Sequence, residues 1–187
     1  MERCAWANSS SVMQAYHDNE WGRPQHDSQR LFELLCLETY QAGLSWQTVL
    51  NKRAAFNEDF ANYDIATVAK MTTADVERLL QDARIIRHRQ KLMATLNNAR
   101  VIANWPAGSD FATWLWSFVD GQPIRQAWAS INDVPATNDL ARQISKQMKQ
   151  RGFKFVGPTT IYSYLQAVGI INDHVRDCPC APENEAV

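Results

Sequence analysis

Two pairs of metal-binding side chains stand at opposite ends of this sequence: Cys4 with His17, and His174 with Cys178 in the spacing H-x-x-x-C. Two Cys and two His are the donor mix and number of a closed tetrahedral zinc site. If the four share one ion, the ends of a 187-residue chain must meet, and everything between them folds as one long excursion that returns to its origin. The competing reading makes each Cys a small buried apolar residue and each His a surface or satisfied core group. A Cys/His pair at each end, the second at one-helical-turn spacing, sets a joint site beside that reading as an equal alternative. Such a site is structural, a staple of residues 1–20 to residues 170–180, because it leaves no open coordination position. Cys180, in Cys-Pro-Cys, is an alternative to Cys178 as the fourth ligand. The opening Met-Glu-Arg-Cys-Ala-Trp is neither a signal peptide nor a transit peptide, and the expected compartment is the cytoplasm, where thiols serve as ligands or buried groups rather than disulfides.

Between the two ends the apolar residues recur at helical spacing, and strand-like alternation is nearly absent. Ser28 can cap a helix that runs to Gln41 with Leu31, Leu34 and Leu35 on one stripe and stops at Gly43. Further helices are expected from Ser45, after Asp64, after a Thr72/Asp75 capping box, and over Arg87 to Asn104, Phe111 to Val119, Asn138 to Gln150 and Thr159 to Val168. The expectation is an all-α fold of eight to ten short helices in one domain, 1–187, with a disordered tail from Ala181 to Val187. Nineteen basic against twenty acidic residues give a net charge of −1, so a nucleic-acid partner must be met by a local patch rather than by the chain as a whole. No apolar run approaches the ~20 residues of a membrane helix, and no membrane partner is expected.

Glu38 falls in the middle of the apolar stripe of the Ser28 helix. It either reaches water at the helix mouth or is buried and needs a partner, since an unpaired buried charge is costly. The turn Gln41-Ala-Gly-Leu-Ser-Trp46 delivers a large aromatic to the same helix end, and Tyr16, Trp6 and Trp21 offer more ring surface. A carboxylate walled by rings suits a flat, electron-poor heterocycle with an exocyclic amine. Two stretches are basic without acids: Arg84 to Lys91, and Arg142 to Lys154. Each is ordinarily a solvated helix face. The second, however, leads into Gly152-Phe-Lys154-Phe-Val-Gly157-Pro-Thr159-Thr160 and an apolar helix, the layout of a helix-hairpin-helix over about 142–168. There Gly157 would let backbone N–H groups approach a DNA phosphate, next to the helix N-terminal dipole. An ordinary Gly-Pro turn is the alternative.

Taken together these blocks resemble the bacterial 3-methyladenine DNA glycosylase I family, within the helix-hairpin-helix glycosylase superfamily. The resemblance runs through Met1-Glu-Arg-Cys4, Tyr16-His-Asp-Asn-Glu-Trp21-Gly22, Gln41 to Trp46, Asp82 to Arg89, Leu115 to Val119, Arg151 to Gly157 and Asn172-Asp-His174. It implies a monofunctional hydrolase of N-glycosyl bonds, without lyase activity, that flips 3-methyladenine out of alkylated double-stranded DNA and leaves an abasic site. It also implies zinc at Cys4, His17, His174 and Cys178, and a base pocket of Glu38, Tyr16 and Trp46 with Trp6 and Trp21. Glu38 is expected to do the catalytic work. DNA contacts are expected at Gly157, Lys154, Thr159 and Thr160, independent of sequence, with Leu44 as the wedge that fills the vacated stack, in a monomeric enzyme. The sequence departs from the family at Arg84 and Gln90, where Gly is common, and it lacks the superfamily's Asp after the hairpin. Two rivals are a zinc-stapled DNA-damage binder that does not cleave and a glycosylase for another damaged purine.

Overall fold

A computed structural model describes residues 2–181. Among these residues the fold is helical: α1 (Ser11–Asn19), α2 (Ser28–Gln41), α3 (Trp46–Asp59), α4 (Ile65–Lys70), α5 (Thr73–Leu79), α6 (Arg89–Ala103), α7 (Phe111–Trp116), α8 (Asp139–Gln150) and α9 (Pro158–Ala167). The exceptions are short 3-10 turns and two strands of two residues, β1 (Ile124–Arg125) and β2 (Ile171–Asn172), which pair in parallel.

Most starts follow the local capping chemistry. Ser45, Asp64 and Asn138 accept from backbone N–H groups at the heads of α3, α4 and α8. Thr72 and Asp75 form the capping box of α5. Two expectations shift. Asp27, not Ser28, caps α2, because its carboxylate reaches the Arg30 N–H at 2.8 Å; Ser28 is the first helical residue and its hydroxyl accepts from the Ala112 N–H. The helix expected from Arg87 starts at Arg89, capped by His88. α1 was not anticipated, although Ser10 caps it by accepting from the Met13 N–H and Met13, Tyr16 and His17 are its buried face.

α2 is the axis of the molecule, buried from Leu31 to Tyr40. Its Leu31, Leu34 and Leu35 lie in the larger core with rings such as Phe56, Phe60, Phe111 and Tyr164. A second, smaller core joins the ends of the chain: Cys4, Met13, Tyr16, Trp21, Cys178 and Ala181, with Leu50 of α3. Ala181 is fully buried there, so the disordered tail expected from Ala181 does not begin at that residue; residues 182–187 lie outside the described part.

Two interactions hold α1 and its exit segment in place. Arg53 of α3 donates to Glu20 at 2.9 and 3.0 Å and to Glu33 of α2 at 2.8 Å, and Arg30 pairs with both carboxylates. Behind this network the chain after Trp21 runs along the end of α9, where Gly22 N–H donates to the Gln166 carbonyl and Gln25 N–H to the Val168 carbonyl. Gly169, at φ +71°, makes that crossing feasible: a Cβ there would lie 2.1 Å from the Arg23 carbonyl carbon.

Candidate active site and metal cluster

The ends of the chain meet as the paired residues require. Cys4, His17, His174 and Cys178 are all buried, and their ligand atoms lie within 4.8 Å of one another. Cys178 Sγ is 3.4 Å from His17 Nε2 and 3.4 Å from His174 Nδ1, and Cys4 Sγ is 3.7 Å from His174 Nδ1. Bonds of about 2.3 Å to sulfur and 2.0–2.1 Å to nitrogen at tetrahedral angles put S and N about 3.5 Å apart. The cluster therefore has the dimensions of a tetrahedral metal site. The outer ring nitrogens are also engaged: His17 Nδ1 meets Asp18 at 2.8 Å, and His174 Nε2 meets the Trp21 carbonyl at 3.1 Å. Those contacts select the tautomers that turn the unprotonated Nε2 of His17 and Nδ1 of His174 toward the centre of the cluster. Burial pushes the Cys4 thiol up to about 12 and the His174 imidazole down to about 4. Burial thus favours the neutral forms of Cys4 and His174; a divalent cation is what would make a Cys4 thiolate stable there. Cys180 is half-buried and lies beside His17 and Asp18, outside the four.

The cluster braces the aromatic wall of a cavity. Trp21 packs edge-on against His174 with centroids 4.6 Å apart, and Trp6 packs against His17 at 5.3 Å and Trp21 at 5.1 Å. Beyond them opens a cavity of about 390 Å³ lined by all five residues expected to bind the base, Tyr16, Trp46, Trp6, Trp21 and Glu38. Tyr16 and Trp46 face each other at 5.3 Å with planes inclined by 58°.

Three polar atoms in this cavity are buried and have no partner: Glu38 Oε2, Tyr16 Oη and Trp46 Nε1. Among the described residues, five further buried polar atoms without a partner are scattered over Thr39, Asn57, Asp59, Tyr63 and Tyr164, whereas these three line one cavity. Glu38 is only 6% exposed, so of its two sequence readings the structure shows the buried one. Burial alone pushes its carboxyl up to about 8. Burial, together with the nearby Glu38 and Glu20, also holds the Tyr16 phenol well above its ordinary range, so it remains a donor. The cavity thus holds a neutral acid that would ionise readily beside an incoming cation.

Sequence reasoning missed the far wall. Thr159, Tyr162, Ser163 and Gln166 of α9 recur at i, i+3, i+4 and i+7 and line the cavity, with Gln41 and the turn Ile131 to Ala136 closing it. A polar stripe on an otherwise apolar helix was the available signal. Thr159, expected to contact DNA, lines this wall, whereas Thr160 does not.

α8, the turn 151–157 and α9 form the expected helix-hairpin-helix. Gly157 caps α9 at an ordinary φ of −65°, and a Cβ there would meet nothing within 4 Å. The fold itself does not require glycine at this position. Lys154 is exposed on the hairpin, as is Phe155, which takes a left-handed φ of 58°. Leu44 stands 42% exposed on the turn between α2 and α3. The first basic run is not a free face: Arg84 pairs with Asp82 and Glu58, and Arg89 pairs with Glu77. Its Lys91 is buried and donates to the Tyr40 and Ala42 carbonyls at 3.0 Å. Arg84 does not adopt a positive φ, so the turn there has no need of the glycine common in the family.

An aromatic, carboxylate-bearing cavity on a helical body with a helix-hairpin-helix beside it defines the class: a helix-hairpin-helix protein. The comparisons with known proteins narrow the class to one family. Residues 6–181 match the methyladenine glycosylase family model, and the chain belongs to that family. It is 48% identical to the DNA-3-methyladenine glycosylase 1 of Escherichia coli (strain K12), over 99% of this chain and 100% of that protein. A crystal structure of a 3-methyladenine DNA glycosylase I superposes with a TM-score of 0.93 at 48% identity, covering 97% of this chain and 100% of that one. The Staphylococcus aureus 3-methyladenine DNA glycosylase I, whose structure addresses 3-methyladenine recognition, matches with a TM-score of 0.93 at 42% identity over 97% of each chain.

Proposed function

We propose that this protein excises 3-methyladenine from alkylated double-stranded DNA by hydrolysis of the N-glycosidic bond. The observation that carries this reading is the trio of unpartnered polar atoms, Glu38 Oε2, Tyr16 Oη and Trp46 Nε1, buried on one aromatic cavity. The whole-chain similarity to 3-methyladenine glycosylases supports it.

Methylation at N3 makes adenine a cation and therefore a good leaving group. The protein's task is then to hold the flipped base and exclude competitors, without protonating the leaving group. Glu38 ionises as the cationic base enters, accepts from its exocyclic amine and balances its charge, while its proton leaves to solvent. Trp46 takes the base on its ring face, Tyr16 donates a hydrogen bond, and Trp6 and Trp21 complete the wall. When the glycosidic bond breaks, its electron pair goes to the base, which becomes neutral, and water adds to the oxocarbenium-like sugar with release of a proton. Glu38 then faces a neutral product, recovers a proton and loses its hold. Charge neutralisation in the reaction thus weakens product binding.

Gly157, Lys154 and Thr160 would hold the DNA backbone, Thr159 would sit where hairpin and cavity meet, and Leu44 would fill the gap left by the flipped base. Backbone contact of this kind is independent of sequence. Zinc at Cys4, His17, His174 and Cys178 fits the donor set and spacing, and it would supply structure only, by holding the two chain ends against Trp6 and Trp21. On this reading residues 1–187 are one glycosylase domain that acts as a monomer on DNA in the cytoplasm. The test is incubation of the purified protein with methylated DNA followed by chromatography of released bases. Release of 3-methyladenine is expected; tight binding without release would make the protein a damage binder, and release of a different purine would reassign the pocket.

A further inference from the structure

Asp173 precedes the metal-cluster residue His174 and is fully buried. Its Oδ1 accepts from Trp128 Nε1 at 2.7 Å, and its Oδ2 accepts from Tyr162 Oη at 2.6 Å and Gln166 Nε2 at 2.7 Å. Tyr162 and Gln166 stand one helical turn apart on α9, and both line the cavity. A carboxylate only accepts, so the polarity of these bonds is fixed. The Gln166 amide cannot turn over without setting its carbonyl oxygen against Asp173. Held this way, the carbonyl oxygen has no partner among the described residues. The Tyr162 hydroxyl proton is likewise committed, and only acceptor capacity remains on its oxygen.

We propose that Asp173 is a positioning residue that sets purine specificity: by holding the donors of Gln166 and Tyr162, it makes the α9 wall of the cavity present acceptor oxygens. Together with Glu38, this wall matches a purine with an amine at its six-position. It disfavours a purine with a carbonyl there, whose lone pairs would face other lone pairs with no hydrogen between them. The inference rests on the reading of the cavity as a base pocket. It also gives the segment that carries His174 a second duty, since the same two residues tie the metal cluster to the pocket wall.

The test uses the zinc-loaded full chain with the variants Asp173→Asn, Gln166→Met and the double variant. In Asp173→Asn one carboxylate oxygen becomes an amide NH2 donor, so the Gln166 amide can turn over and show its own N–H groups to the cavity. Single-turnover release of 3-methyladenine and 3-methylguanine is measured from one methylated duplex. The expected result is a roughly tenfold fall in the adenine-to-guanine rate ratio for Asp173→Asn. Gln166→Met should lower the ratio as well, and adding Asp173→Asn to Gln166→Met should lower it further by less than it does alone, because only Tyr162 is then left to release. An equal loss on both purines, or an undiminished effect of Asp173→Asn in the Gln166→Met background, would overturn the proposal. If Asp173→Asn does not fold, an unchanged ratio in Gln166→Met alone refutes it. Release of neither purine by the parent protein would instead overturn the base-pocket reading.

Discussion

Replacing Glu38 by Gln tests the central claim about the cavity, because the structure gives the change a magnitude and a pH signature. Burial raises the Glu38 carboxyl from its ordinary 4.5 to about 8. An acid whose pKa is higher folded than unfolded stabilises the fold least where it must be ionised. The folded state keeps the proton that the unfolded state has released, so this group's contribution is favourable at low pH and declines as pH rises from 4.5 through about 8. At about 1.4 kcal/mol per pH unit, the empty protein loses on the order of 4 kcal/mol between about pH 5 and pH 8.5 from this group alone. Glu38→Gln removes that slope. Urea unfolding of parent and variant at the two pH values, both zinc-loaded, isolates the term, since other titrating groups cancel in the comparison. The variant should be the more stable protein at about pH 8.5, by a few kcal/mol, and nearly equal to the parent at about pH 5. Single-turnover excision of 3-methyladenine should meanwhile fall about 100-fold, as expected when one partner of a buried ion pair is lost. Parallel stability profiles would refute the burial argument, and an unaltered excision rate would remove Glu38 from the chemistry.

Other outcomes follow from the same geometry. Trp46→Ala should weaken binding of free 3-methyladenine by about 1–3 kcal/mol in calorimetry, while affinity for undamaged duplex stays near normal. A strong chelator should lower the unfolding midpoint markedly; Cys178→Ser should lose the metal in elemental analysis and Cys180→Ser should keep it. Gly157→Ala should leave stability within about 1 kcal/mol, because its Cβ meets open space. The same variant should weaken DNA binding in a salt titration, and unchanged affinity would detach the hairpin from DNA. Lys91→Met strands two carbonyls at the end of α2 and should cost about 2 kcal/mol in urea unfolding. Hydrogen exchange of residues 42–46 should rise with it.

Periodicity and capping chemistry are local, and they were legible residue by residue. Asp64, Thr72 and Asn138 announced α4, α5 and α8, because a side chain that reaches a backbone N–H three residues on needs nothing else from the fold. The Cys4/His17/His174/Cys178 cluster was legible from spacing, since four side chains of the right kind leave few ways to pair. Glu38 was conspicuous because a carboxylate on an apolar stripe contradicts its surroundings. The sequence could not decide whether that carboxylate reaches water; the packing of α1, α3, α9 and the turn 131–136 around the end of α2 encloses it. Nor could it show that Arg84 and Arg89 are neutralised by Glu58 and Glu77, residues distant along the chain. Asp173 makes the same point. In the sequence it is an acid beside His174, and its three donors come from two other parts of the chain, Trp128 and the α9 residues Tyr162 and Gln166. Contacts within one helical turn are written in neighbouring residues. Those that orient the cavity wall exist only once segments apart in the sequence have packed together, as Trp128 and α9 do on Asp173.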